Sequence, residues 1–193
     1  MDQNTLIAIV IVVAVLAIAA TVVIVYRKHR SKHLKQHFGP EYDRAVLLRG
    51  GAAKAEKELL DREKRVHSFT IKALTPAMRA RCQEEWALIQ SRFVDDPAVA
   101  VNEADSLVNR VMTARGYPMA DFEQRAADVS VTNPTVVQNY RASRVIVQRY
   151  ARSEAGTEDL RQAIVHYRSL FDELLGEPNT VTTARGVLHE RAS

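Results

Sequence analysis

The chain is 193 residues long, with 27 Lys+Arg, 23 Asp+Glu, six His, seven Gly and a single Cys, and carries a formal net charge of +4. One cysteine excludes an intrachain disulfide, as suits a reducing compartment, and so few glycines leave little room for a glycine-rich phosphate loop. The charge is unevenly spread: residues 1–26 carry −1, residues 27–37 carry +5, and residues 38–193 hold 22 of each sign. The high pI is therefore a property of eleven residues and gives no support to a nucleic-acid-binding domain, whose cations cluster on one folded face; no nucleic-acid partner is expected.

Residues 5–26, TLIAIVIVVAVLAIAATVVIVY, contain no charge, no Pro and no Gly. At ~1.5 Å per residue a helix of this length covers the ~30 Å hydrocarbon core of a bilayer. A single span must satisfy its backbone internally, so a helix is the expected form despite the many β-branched residues. A cleaved signal peptide needs a basic n-region. Here residues 1–4 are Met-Asp-Gln-Asn, and the apolar run continues past the small residues Ala17-Ile18-Ala19. The expectation is an uncleaved single-pass anchor in the cell (plasma) membrane. Ala17 and Thr21 offer a small-residue contact for pairing of spans.

The flanks predict orientation. Arg27, Lys28, Arg30, Lys32 and Lys35 follow the span, and no Lys or Arg precedes it. Basic flanks stay on the cytoplasmic side, so residues 1–4 are expected outside and residues 27–193 inside. These five cations form a juxtamembrane segment, 27–40, and are the candidate surface for anionic lipid; the plainer reading is a topology signal alone. His29, His33 and His37 fall on one helical face. Five neighbouring cations and the lack of a carboxylate speak against a metal there, leaving a pH-dependent lipid contact or a solvated stripe. No metal and no cofactor is expected.

Residues 41–175 are predicted to be all α, a small helical bundle, with a disordered tail over 176–193. Residues 41–68 read as a charged helix with coiled-coil-like stripes, Val46-Ala53-Leu60 and Ala52-Leu59-Val66, kinked or split at Gly50-Gly51. Thr75-Pro76, Asp96-Pro97 and Asn133-Pro134 share one device, a side-chain acceptor followed by a proline suited to the first helical turn. With Thr157 they predict helices at 76–93, 97–115, 134–153 and 157–175, and a short one lies near 119–129. The apolar faces are Cys82/Trp86/Ile89/Phe93, Ala104/Leu107/Val108/Val111/Met112, Val136/Tyr140/Val147/Tyr150 and Leu160/Ile164/Tyr167/Phe171/Leu174. Gly116 before Tyr117-Pro118 reads as a helix stop.

Chemistry-bearing groups are sparse. Asp95-Asp96 could serve acid–base work, but capping by Asp96 and solvation of Asp95, or its pairing with Arg92, explain them more simply. Asp121 and Arg125 read as an i,i+4 ion pair, and Glu123 and Asp128 as solvated. His166 reads as structural or exposed, and Cys82 as core. No nucleophile-elbow, zincin, Walker, dinucleotide, CxxC or kinase motif occurs.

The runs RFVDDP (92–97), ARGYP (114–118), DFEQRAADVSV (121–131), VVQNYR (136–141) and TEDLRQAIVHYRSLFDELL (157–175) resemble a group of uncharacterised bacterial proteins. These commonly carry one amino-terminal span and a small helical soluble region. The resemblance covers about 38–175. It implies a bacterial cell-membrane location and transfers no activity or site. Two functions are expected to compete. One is a non-catalytic, membrane-anchored interaction module with the bilayer as partner and a second copy or another protein meeting residues 41–68. The other is an enzyme with an unfamiliar helical site using Asp95, Asp96, Glu103 or His166. An anionic-lipid or stress sensor built on the basic collar is a third.

Overall fold

The computed structural model describes residues 3–176, with side chains from Val12 onward. Residues 177–193 of the expected tail at 176–193, and the first two residues, lie outside the described residues. Those described form eight helices and no strand. They are α1 (Gln3–Phe38), α2 (Pro40–Arg49), α3 (Ala52–His67), α4 (Pro76–Arg92), α5 (Pro97–Ala114), α6 (Phe122–Thr132), α7 (Val137–Ala151) and α8 (Thr157–Leu175). The chain divides into two compact units, Met1–Leu59 and Leu60–Ser193.

In the first unit α1 is continuous for 36 residues, so the apolar stretch and the basic segment share one helix. Gly39, with φ +50°, ends it, and Pro40 opens α2 where its missing N–H costs nothing. Gly50-Gly51 splits the charged region rather than kinking it. Gly50 is left-handed at φ +68°, and the Gly51 N–H reaches back to the Val46 carbonyl at 3.1 Å. The Val46-Ala53-Leu60 stripe is thereby cut; the Ala52-Leu59-Val66 stripe lies within α3, with Leu59 and Val66 buried and Ala52 exposed. The buried face of α3 is instead Ala55, Glu56, Leu59, Arg62 and Val66, helical spacing with two charged members.

The second unit is built round α8, which packs on α5 and α7; α4 lies on α5 and α6 on α7. The expected caps form at α4, where Thr75 Oγ1 accepts from the Met78 N–H at 3.2 Å, and at α5, where Asp96 Oδ1 accepts from Val99 at 3.0 Å. Trp86 of α4 stacks on Phe171 of α8 with centroids 4.7 Å apart, and Cys82, Ile89, Leu107, Met112, Leu160 and Leu174 fill in around them. Tyr150, assigned above to an apolar face, stands 41% exposed; α7 buries Val137, Tyr140 and Ser143 instead.

Three local expectations are corrected. Asn133-Pro134 does not open α7: Asn133 terminates α6, and its amide donates to Glu173 of α8 at 2.6 Å, so α7 begins at Val137. Asp121 does not pair with Arg125; it caps α6 by accepting from the Gln124 N–H at 2.8 Å. Asp128 is not solvated but 1% exposed. It is held by Arg65, whose Nε lies at 2.9 Å, and by the Gln124 amide at 2.9 Å.

Gly116 is the helix stop expected, with φ +98°; a Cβ there would run into the Thr70 carbonyl oxygen, beside a 2.9 Å hydrogen bond from the Lys72 N–H to the Arg115 carbonyl. Both left-handed backbone and backbone contact oppose any side chain. Gly116→Ala is expected to lower the unfolding free energy by about 2 kcal/mol or more, whereas Gly156→Ala, in open space, costs far less. Denaturant unfolding of the two variants measures the difference.

Candidate functional site

The arrangement with the plainest functional content is the transition along α1 from bare apolar helix to cationic helix. From Val12 to Val25 every large aliphatic side chain stands at least half exposed, Leu16 at 63% and Ile18 at 65%. By length and composition this helix can cross a membrane. Thr21 adds no polar demand, since its hydroxyl donates to the Ala17 carbonyl one turn back at 2.8 Å. Tyr26, 66% exposed, closes the apolar run, and the five cations begin at the next residue.

The cations do not share one environment. Arg27, Lys28 and Lys32 are exposed. Arg30 approaches Glu56 of α3 at 3.7 Å, and Lys35 approaches Asp43 of α2 at 3.8 Å while lying over the Tyr42 ring at 6.0 Å. Among the described residues the collar thus has three cations without a carboxylate beside them, one, Lys35, in an exposed pair with Asp43, and one, Arg30, turned toward the buried Glu56. Glu56 is the centre of that last contact. It is almost buried, accepts from the Ser31 hydroxyl, and accepts from the Tyr42 phenol at 3.0 Å. Burial, and then the bond to Glu56, push the Tyr42 phenol above its ordinary value. Sequence reasoning missed Glu56 because nothing local distinguishes it among the acids of α3. His33 and His37 stack with centroids 6.3 Å apart, and His37 meets Phe38 edge-on at 4.8 Å.

The second unit holds a polar seam that the sequence did not reveal. The Tyr167 phenol donates to Asp105 Oδ1 at 3.1 Å, and the Asn109 amide donates to the other Asp105 oxygen at 3.1 Å. Arg125 Nε donates to the Tyr140 oxygen at 3.2 Å, and a second Arg125 nitrogen donates to the Ala120 carbonyl at 2.7 Å. Tyr140 and Tyr167 touch edge-on at 6.3 Å. Burial pushes both phenols upward, and for Tyr167 the neighbouring Asp105 adds to it. Side chains from α5, α6, α7 and α8 therefore satisfy one another inside the bundle. Arg115, also buried, closes the end of α8 by donating to the Leu174 carbonyl at 2.7 Å.

Two of the residues considered for catalysis, Asp96 and Glu103, have other work. Asp96 caps α5, Glu103 pairs with Arg92 across the shallow α4–α5 cleft, and Glu85 pairs with Arg110 beside it. Asp95 is exposed at the α4–α5 turn, and His166 is half-buried on α8. Among the described residues no group of three or more His, Cys, Asp or Glu is arranged to hold a metal.

Two measurements follow. Glu56→Ala strips Ser31 and Tyr42 of their shared acceptor and Arg30 of its ion-pair partner. It should cost about 2–3 kcal/mol of local stability, seen as faster amide exchange over residues 40–59, and should bring the Tyr42 phenol back toward its ordinary value. In the second unit, Tyr140 and Tyr167 hold their protons more tightly folded than unfolded. Their contribution to stability is complete below the unfolded phenol value of about 10 and is lost as pH rises beyond it. Alkaline unfolding should therefore move to higher pH in Tyr167→Phe, which has no proton to lose there, while at neutral pH that variant is about 1 kcal/mol less stable.

Compared with family models, with curated proteins and with solved structures, the chain matches none.

Proposed function

We propose that the chain is a single-pass membrane-anchored helical interaction module, held in a bacterial plasma membrane by α1, with residues 1–4 outside and residues 27–193 in the cytoplasm. The observation that carries this reading is the bare apolar surface of α1 between Val12 and Val25, ending at Tyr26 and five cations. Nine aliphatic side chains left in water at half exposure cost roughly 1 kcal/mol each, a sum near the whole net stability of a domain. Lipid removes that cost, and a helix leaves no backbone group unpaired there. The cations set the orientation, because basic flanks resist translocation. Arg27, Lys28 and Lys32 face outward and suit the phosphates of anionic lipid.

The reading as a binding module rather than an enzyme rests on how the polar groups are employed: the buried acids and phenols each meet a neighbouring side chain. The exposed charged face of α3, with Lys57, Asp61 and Lys64, is the surface offered to a partner or a second copy.

Alkaline carbonate should leave the chain in the membrane pellet. Protease added to inside-out vesicles should digest residues beyond 38, and protease added to right-side-out vesicles should leave them whole. Release by carbonate overturns the anchor, and digestion from the outer face overturns the orientation. Crosslinking in native membranes through Lys57 or Lys64 should capture a second chain or a discrete partner, and capture of neither counts against the interaction role.

A further inference from the structure

We infer that the tip of the α2–α3 hairpin, residues 47–54, is a second membrane contact that sits in the head-group layer of the leaflet from which α1 emerges. This rests on the reading of α1 as a span. The Gly39-Pro40 turn sends α2 back along α1, as the Lys35–Asp43 approach at 3.8 Å requires. Gly50-Gly51 then reverses the chain again: Tyr42 and Glu56, fourteen residues apart, are joined at 3.0 Å.

Glu56 fixes the height of the tip. It meets Ser31 and Arg30 of α1, so it is level with those residues. Ala52 lies four residues nearer the tip, ~6 Å along the helix at ~1.5 Å per residue. For an α3 axis running alongside α1, that step puts Ala52 level with residues 26–27 of α1, where Tyr26 ends the apolar stretch and the cations begin.

What the tip presents suits that place. Leu47 is 83% exposed and Leu48 64%, two adjacent leucines on the last turn of α2 with no core to fill. Ala52 and Ala53 follow, both exposed, with Arg49 and Lys54 on either side. Arg49 is steered by Glu58, while Lys54 points to solvent. Apolar side chains flanked by cations, at the depth of an aromatic residue and a basic collar, have the composition of an interfacial membrane contact. The occupant is the bilayer surface, anionic lipid favoured, and not a second protein chain.

The test uses the full chain in bilayers of phosphatidylcholine and phosphatidylglycerol, with a nitroxide placed on L48C, V22C or L88C. Cys82 is buried, so labelling proceeds on the native background and can be repeated with C82A. Collision with oxygen, which partitions into lipid, is compared with collision with a water-soluble nickel chelate. The expected result is a deep V22C label, an aqueous L88C label and an L48C label favouring oxygen, at the boundary between head groups and acyl chains. The L47S/L48S double variant should lose at least half of the protection of residues 47–54 against amide exchange that bilayers confer. An L48C label as aqueous as L88C, with V22C still deep, overturns the inference and leaves the span standing. An aqueous V22C label removes the span itself, and the inference with it. Spin–spin broadening at L48C without oxygen preference means that a second chain covers the tip, and also overturns it.

Discussion

Nine aliphatic side chains between Val12 and Val25 stand half exposed or more, with no protein surface over them. The backbone of α1 closes its own hydrogen bonds, but its side chains have no folded partner, and no rearrangement of one helix can give them one. A solvent that is itself apolar meets the requirement. Once that solvent is granted, the order of the next residues makes sense. The aromatic residue comes where water and lipid meet, then the cations, then the carboxylates of the next two helices, exposed Asp43 and buried Glu56, that meet two of those cations.

Both units use the same physical device away from this helix. A carboxylate is placed under cover and surrounded with donors. Glu56 receives the Ser31 hydroxyl and the Tyr42 phenol, with the Arg30 guanidinium nearby at 3.7 Å. Asp105 receives Tyr167 and Asn109, and Asp128 receives Arg65 and Gln124. Removing one partner from such a cluster leaves a charge or a phenol without its bond in a low dielectric, which costs more than a surface pair ever contributes. These clusters fix which helix face meets which, a choice that the apolar side chains alone leave loose.

Much of the helical layout was legible in the sequence because its signals are local. Thr75-Pro76 and Asp96-Pro97 start helices where a nearby acceptor and a fixed φ agree, and Gly116 stops one where only glycine fits. The apolar face of α5 was readable from its spacing alone. What failed were the cases in which a distant residue outbid a neighbour. Asn133 reaches Glu173, forty residues on, instead of capping the helix beside it. Arg125 leaves Asp121 for the Tyr140 phenol. The candidate collar was only half legible: its five cations are visible in the sequence, but which of them meet a carboxylate depends on Glu56 and Asp43, and nothing in their own neighbourhood marks those two.

The absence of a break between the apolar and the basic parts of α1 has a mechanical consequence. No Gly or Pro interrupts the helix before Gly39, so it behaves as one stiff rod. On the proposed placement, ~18 Å of that rod projects beyond Tyr26. A change of about ten degrees in tilt, of the size that bilayer thickness imposes on spans, would carry the Phe38 end sideways by ~3 Å. A sheet of lipid growing thinner or thicker would thereby be converted into displacement at the point where the chain leaves its anchor.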